Sequence, residues 1–228
     1  MVSIVVLIKL FTLKLIVMST FNKGILGGFS GKVGNVVGSS WKGINVMRSL
    51  PASVKQSKSV RALHNRARFG KTIRFLTKAN RLIPLGFYPE AVKQTSYNAA
   101  FSHNFPHIDF DGEVLKVDFP KLMVSNGTMD DLIDLSAVRD SDQMVVITWT
   151  PVAGEVAKHC GVHFLVLSDD MEYSAVLTNV ATADKGSASF RVSKKLASGK
   201  IHIYAFYTND LDEGRDAISD CAYALVEA

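Results

Sequence analysis

Acidic residues are missing from the chain until Glu90, although fifteen lysines and arginines lie between Lys9 and Arg81. From Glu90 onward, eleven Lys and Arg face twenty-one Asp and Glu, so the two halves carry about +15 and −10. Such a division suits a nucleic-acid surface, an anionic membrane surface or head-to-tail association of oppositely charged halves; composition does not choose among them. Cysteine is scarce. Cys160 and Cys221 stand alone, which excludes any Cys-x-x-Cys motif and leaves either two buried or free thiols or one disulfide in an oxidising compartment. An unbroken long apolar run is absent too. The opening Met1–Val17 is interrupted by Lys9 and Lys14, whereas a bilayer span needs about 20 predominantly apolar residues. A lysine in mid-span costs roughly 2.5–3.5 kcal/mol. No integral span is therefore expected. The segment also lacks the basic start and small-residue cleavage site of a secretory signal. Two readings stay open: translation from Met18, with a cytoplasmic product, or a poor leader, with export or surface association.

Nucleotide-binding loops are missing as well. Around Gly31-Lys32, the residue after the lysine is Val33 rather than Ser or Thr, and Leu26 stands where the first glycine of a P-loop belongs. No Gly-x-Gly pair exists for a dinucleotide fingerprint. No cofactor is expected.

What is present is a core-forming composition and a glycine-rich opening. With 228 residues, 47% of them apolar, and thirteen Phe, the chain can bury one large or two modest cores. Seven of its sixteen glycines fall between Gly24 and Gly43. Gly28, Gly31 and Gly34 recur every third residue, a density that means positive φ, close backbone approach or tight turns. From Trp41 the pattern is strand-like, with Ile44, Val46 and Arg48 on one side and Trp41, Asn45 and Met47 on the other. We expect a glycine-bent β-hairpin, with Gly28, Gly31 and Gly34 allowing close docking and Trp41 as anchor.

The run NKGILGGFSGKVGNVVGSSWKGINVMRSLP resembles the opening signature of a bacterial domain-of-unknown-function family typical of Bacteroidota. The likeness continues through Arg66, Arg68 and Phe69, then Tyr97-Asn98-Ala99-Ala100, then Lys121–Gly127, and covers nearly all of residues 18–228. The extra Met1–Val17 and the two cysteines depart from it. The resemblance implies no activity, cofactor or catalytic residue.

Between about Lys58 and Ile83 the chain has helical periodicity. Val60, Leu63 and Ala67 form one apolar set; after Gly70 the set moves to Phe69, Ile73, Leu76 and Ile83, which predicts a bend near Gly70. Arg66 and Arg68, then Lys71, Arg74, Lys78 and Arg81, make this segment strongly basic. Like charges at helical neighbour spacing destabilise by about 0.2–0.5 kcal/mol per pair, so compensation must come from phosphates, from a protein, from the acidic half or from water. No helix-turn-helix, zinc finger or RNA-binding sheet accompanies the charge. A second helix is expected from Glu90 to about Asn104. His103 and His107 are read as surface or capping residues.

After Pro106 the period changes to two. Strands are expected at Glu113–Phe119, Lys121–Ser125, Gln143–Thr150, Val162–Ser168, Tyr173–Thr178, Ser187–Val192, Lys200–Thr208 and Ala222–Val226, separated by Asp-Gly, Asn-Gly and Ser-Gly turns. This spacing predicts an antiparallel sandwich of immunoglobulin or fibronectin type. Three clusters invite a chemical reading and none satisfies it. His159, Cys160 and His163 mark no fourth metal ligand. Asp210, Asp212 and Glu213 precede Gly214 at the wrong place for a calcium loop. No Gly-x-Ser-x-Gly nucleophile exists.

The expectation is an α+β chain divided as 1–17 (leader or upstream extension), 18–135 (glycine-rich hairpin and basic helices) and 136–228 (β-sandwich). Its expected role is non-catalytic: a structural or protein-interaction protein, as in a cell-surface or phage-like assembly, with a protein partner or self-association. The alternative is nucleic-acid binding through Arg66, Arg68, Lys71, Arg74, Lys78 and Arg81.

Overall fold

The computed structural model describes residues 20–21, 28–41, 43–50, 56–140, 143–196, 198–209 and 217–227. Met1–Val17 and the acidic run at Asp210–Gly214 lie outside them. The chain divides into two compact units, Met1–Ser57 and Lys58–Ala228.

In the first unit the glycine-rich stretch forms four antiparallel strands in sequential order: β1 (Thr20–Phe21), β2 (Phe29–Val33), β3 (Val36–Trp41) and β4 (Ile44–Ser49). The single hairpin expected from sequence is thus a meander. Two tight turns make it so. Val33 pairs with Val36 across Gly34-Asn35, with Gly34 at φ +57, the glycine position of a II′ turn. Trp41 pairs with Ile44 across a second two-residue turn, with Gly43 at φ +80. That turn ends the strand expected to run on from Trp41, so an alternation counted through it does not hold.

The second unit opens with α1 (Val60–Lys78), whose N-cap Ser59 accepts from the Ala62 amide at 3.3 Å. The helix runs through Gly70 as one element. Its buried stripe is Thr72, Phe75, Leu76 and Ala79, at helical i, i+3, i+4, i+7 spacing, while Phe69 and Ile73 are exposed. The expected stripe was one position off because Thr72 reads as polar. Its hydroxyl donates back to the Arg68 carbonyl (2.9 Å), which lets it be buried. A short α2 (Ile83–Gly86) follows, then α3 (Ser96–Asn104), capped by Thr95, whose hydroxyl accepts from the Asn98 amide at 3.2 Å. That cap starts the helix six residues later than Glu90. A hairpin of β5 (Ile108–Asp111) and β6 (Val114–Val117) turns at Gly112. Lys121–Ser125 is no strand. Its Met123 backbone is instead bracketed by the buried Asn104 amide, which donates to the Met123 carbonyl (3.0 Å) and accepts from the Met123 N–H (2.8 Å).

Seven further strands make two sheets: β7 (Ser136–Arg139), β8 (Met144–Thr148), β9 (Cys160–Ser168), β10 (Ser174–Thr182), β11 (Ser187–Arg191), β12 (Ile201–Asn209) and β13 (Ala222–Val226). One sheet is ordered β11-β8-β7 and the other β10-β9-β12-β13, all antiparallel. Lettered A to G, this is A-B-E facing D-C-F-G. It is an immunoglobulin-like, fibronectin type III-like sandwich in which the fourth strand has joined the C-F-G sheet.

Strand alternation gives the central pair two jobs. Val162, Phe164 and Val166 of β9 and Ile201, Ile203 and Ala205 of β12 meet Val145, Ile147, Trp149 and Phe190 in the sandwich core. On the other face, Leu165, Leu167, Tyr204 and Phe206 meet Phe75, Leu76, Leu82, Phe87 and Ala100 of the helical layer. All nine residues of β9 are buried. The boundary expected between residues 135 and 136 therefore falls inside one unit. The helices cover the second face of the sandwich sheet, and dividing them from it would expose a shared core. Among the described residues no helix is long and apolar enough to cross a membrane.

Candidate functional site

Two regions gather the residues singled out by sequence, and each is built differently. In the N-terminal sheet the glycines have three separate reasons. Gly31 (φ +114) and Gly34 need the left-handed region. Gly38 needs closeness: a Cβ there would sit 2.4 Å from the Phe29 carbonyl and 2.7 Å from its ring. Gly28 lies under the Asn45 side chain, with a Cβ 2.3 Å from its Nδ2. Gly38 is the one buried position between Gly28 and Leu50 among those whose burial is described; all six residues of β4 are exposed, Ile44 by 62% and Met47 by 68%. The Trp41 side chain, expected as anchor, lies outside what is described.

In the second unit the basic face of α1 closes on the turn between β9 and β10. Arg74 forms an ion pair with Glu172, Lys78 Nζ donates to the Glu172 carbonyl, and Lys71 Nζ donates to the Asp170 carbonyl at 3.1 Å. Arg68 is held elsewhere: its Nε donates to the Ile108 carbonyl (2.7 Å), it pairs with Asp109 (3.4 Å), and its guanidinium lies 4.4 Å over the Phe105 ring. Arg66 and Arg81 are exposed. The charge that the sequence left uncompensated is thus met largely by the chain's own acidic half. Of the residues proposed for nucleic acid, Arg68, Lys71, Arg74 and Lys78 are engaged by protein in these contacts.

The turn itself, Ser168–Tyr173, is built to receive them. The Asp170 carboxylate accepts from the Ser168 hydroxyl and the Glu172 amide (2.8 Å), and these bonds hold its pKa below the usual carboxylate range. Met171 takes a positive φ of 61°, sparsely populated for a non-glycine residue, and is fully buried against the helical layer. Burial and the neighbouring Arg74 guanidinium lower the Lys71 pKa, while Asp170, Glu172 and Asp169 oppose that shift.

Asp169 reaches the other way. It stands 3.1 Å from His202 Nε2, and His202 Nδ1 lies 2.8 Å from the Tyr223 hydroxyl. The imidazole stacks on Phe119 at 3.7 Å and is buried, and burial lowers its pKa despite the Asp169 hydrogen bond. A neutral ring with Nε2–H donating to Asp169 and Nδ1 accepting from Tyr223 satisfies all three groups. Sequence reasoning missed this chain of contacts, because its members are separated by 33 and 21 residues. The one available signal was an alternating strand that placed His202 beside Tyr204 and Phe206.

The cluster around Cys160 does not converge. Alternation along β9 turns Cys160 into the sandwich core and His163 to the opposite face. There His163 Nε2 meets the Thr208 hydroxyl (2.9 Å) and Nδ1 accepts from the Asn179 amide (3.4 Å). Among the described residues no group of three or more His, Cys, Asp or Glu could hold a metal ion. Cys160 and Cys221 are both free thiols, the first in the sandwich core and the second packed beside the helix-side core. The sheet between them accounts for their not pairing. Burial pushes the Cys221 thiol up to about 11.

Clefts lined by described residues open on this unit, two of them beside residues singled out by sequence. One, of about 530 Å³, lies over the β5–β6 hairpin and is lined by His107, Asp109, Asp111, Lys116, Asp118 and Lys121. Lys116 pairs there with Asp111 and Lys121 with Asp118 (2.7 Å). The other, of about 310 Å³, lies at the irregularity of β10 and is lined by Lys158, His159, Asn179, Thr182 and Lys185. Neither contains the Asp169–His202–Tyr223 chain.

Part of the chain is similar to solved structures. The chicken CNTN1 FN1-FN3 domains match with 13% identity and a TM-score of 0.35 over 46% of this chain and 35% of that one. The fn3 domain of human contactin 1 matches with 12% identity and a TM-score of 0.29 over 45% of this chain and 82% of that one. No curated protein matches the sequence. Residues 28–219, which run from the glycine-rich meander through the helical layer and both sheets of the sandwich, match one family across their whole length: the chain belongs to the family of unknown function DUF6266.

Proposed function

We propose that this chain is a non-catalytic protein that works by binding other protein, as a component of a larger assembly, and that the N-terminal sheet is its binding element. One observation carries the reading. The meander exposes Ile44, Val46 and Met47 and, among its described positions, buries nothing larger than glycine. A sheet whose described side chains form no fully buried core gains independent stability only by packing against something. The sandwich unit has a core on both faces of its larger sheet and is stable on its own terms. The use of Arg68, Lys71, Arg74 and Lys78 in contacts within the sandwich unit fits the same reading.

The test places a photo-crosslinking residue at Met47 of the full chain, expressed in the organism that makes it, alongside sedimentation of the purified protein. Specific protein adducts at Met47 are expected, with no adducts from an equally exposed control position such as Val138. A chain that sediments as a monomer and forms no adduct at Met47 would overturn the reading.

A further inference from the structure

We propose that the outer edge of β4 is completed by an added β-strand from an acidic polypeptide. This rests on the binding role of the N-terminal sheet and names its partner's chemistry. Among the described residues the sheet order β1-β2-β3-β4 leaves two edges, β1 with two residues and β4 with six, so β4 is the longer described edge. Which backbone groups it offers follows from the register. The two-residue turn makes Trp41↔Ile44 a hydrogen-bonded pair, and alternation then directs Ile44, Val46 and Arg48 toward β3. The Leu50 amide, which donates to the Asn35 carbonyl at 2.7 Å, continues that even-numbered set. The N–H and C=O groups of Asn45, Met47 and Ser49 consequently point to the open side.

Natural edges are ordinarily blunted by proline, a bulge or several charges. β4 has no proline, pairs with β3 in unbroken register, and bears one charge, Arg48, near its end. An open edge of this kind is satisfied by another extended backbone, which supplies N–H and C=O groups at matching intervals. Phosphate oxygens cannot return the donor bonds that its carbonyls need. Charge then selects the strand. Residues 1–57 contain seven Lys and Arg and no acid. Lys32, Val37 and Arg48 are paired in one row across the sheet, so cations and apolar side chains alternate on the same surface. A second copy pairing edge to edge through its own β4 would bring the same positive charge to the edge. An acidic strand with alternate apolar residues complements both features.

The experiment measures binding of fluorescent octapeptides to the full chain by anisotropy. The probes are an alternating Glu-Val peptide, its Lys-Val counterpart, and a Glu-Val peptide N-methylated at every second amide. The Glu-Val peptide is expected to bind, and to weaken about tenfold or more between about 50 and 300 mM NaCl. The other two are expected to show no binding. Met47→Pro removes one outward N–H and no bond to β3, so it should weaken the Glu-Val peptide by about tenfold while Met47→Thr changes it by less than about threefold. Unchanged hydrogen-exchange protection at Val46 and Arg48 verifies that the Met47→Pro sheet is intact. Equal binding of the N-methylated peptide would reduce the effect to charge and overturn the proposal. So would tighter binding of duplex DNA or anionic vesicles that Met47→Pro leaves unaffected. Self-association that grows with salt and is lost in Met47→Pro would assign the edge to a second copy instead. Protein adducts at Met47 without peptide binding would reject the acidic strand and leave the binding role standing.

Discussion

The molecule contains two four-stranded antiparallel sheets that could hardly be used more differently. In the β10-β9-β12-β13 sheet the central strands are buried on both faces: every residue of β9, and Ile201 to Tyr207 of β12. In the β1-β2-β3-β4 sheet every described side chain of β4 is exposed. Hydrogen-bonded ladders are common to both, so the ladder is not what makes a sheet stable alone. Apolar area removed from water is, at roughly 25 cal/mol per Å². The first sheet has two layers to bury itself against; in the second, Gly38 is the one buried position among those whose burial is described. One is a doubly covered scaffold, and the other, on our proposal, is a binding element.

The sharpest way to break this contrast is through the two cores of the scaffold sheet. Phe75→Ala, on the helical side, should cost about 3–5 kcal/mol, and Ile203→Ala, on the sandwich side, about 2–5 kcal/mol. Both are fully buried. Urea denaturation should give a single transition for each, shifted but not split. Two separated transitions in Phe75→Ala would mean that the helices are a domain of their own.

Glycines extend the comparison. A Cβ at Gly127 would lie 1.9 Å from the Ile218 carbonyl, so Gly127→Ala should destabilise the scaffold by about 1–3 kcal/mol in the same measurement. A Cβ at Gly34 meets nothing within 4 Å, and the cost there is its φ of +57, about 1–2 kcal/mol. Gly34→Ala should loosen hydrogen-exchange protection in residues 29–50 and leave the main denaturation midpoint where it is. A shift of that midpoint as large as that of Gly127→Ala would contradict the independence of the two sheets.

Titration gives a smaller effect confined to the scaffold. His202 has a folded pKa below its ordinary 6.5 because burial disfavours its charge. As pH falls through that value the unfolded chain takes up a proton that the folded chain still refuses. Stability from this group is therefore full above the unfolded pKa and is lost on acidification until the folded pKa is passed. Denaturant midpoints measured from pH 7.5 downward should fall in this window, and His202→Gln should flatten that part of the profile. An unaltered slope would sink the assignment.

The smallest effect belongs to the acidic clasp. Arg74 and Glu172 are 49% and 54% exposed, so Glu172→Gln should cost less than about 1 kcal/mol and the loss should shrink as salt is added. A larger, salt-insensitive loss would mean that the Glu172 carboxylate does more than pair with Arg74.

Much of this architecture was legible in the residues. The alternation at Ile201–Phe206 announced two faces and the sandwich followed from short strands between turn clusters, whereas the turn at Gly43 was read through as continuous strand. The near-continuous apolar run of β9 also announced burial on both sides, the signal that should have joined the helices to the sandwich. What could not be read was which partner each face would meet. Thr72 enters the α1 stripe only because Arg68 offers it a carbonyl. Met123 needs no ladder because Asn104 replaces one.

The sequence by itself determined the strand alternation of the sandwich, its turn clusters and the charge division. These depend on neighbours within a few residues, through φ preferences and side-chain spacing. The tertiary structure alone decided that α1 would spend its cations on the turn at Asp170 and Glu172, that Asp169, His202 and Tyr223 would meet, and that one sheet would be covered on both faces. The Arg74–Glu172 contact spans 98 residues of chain, and no local pattern encodes an encounter between side chains that only folding brings together.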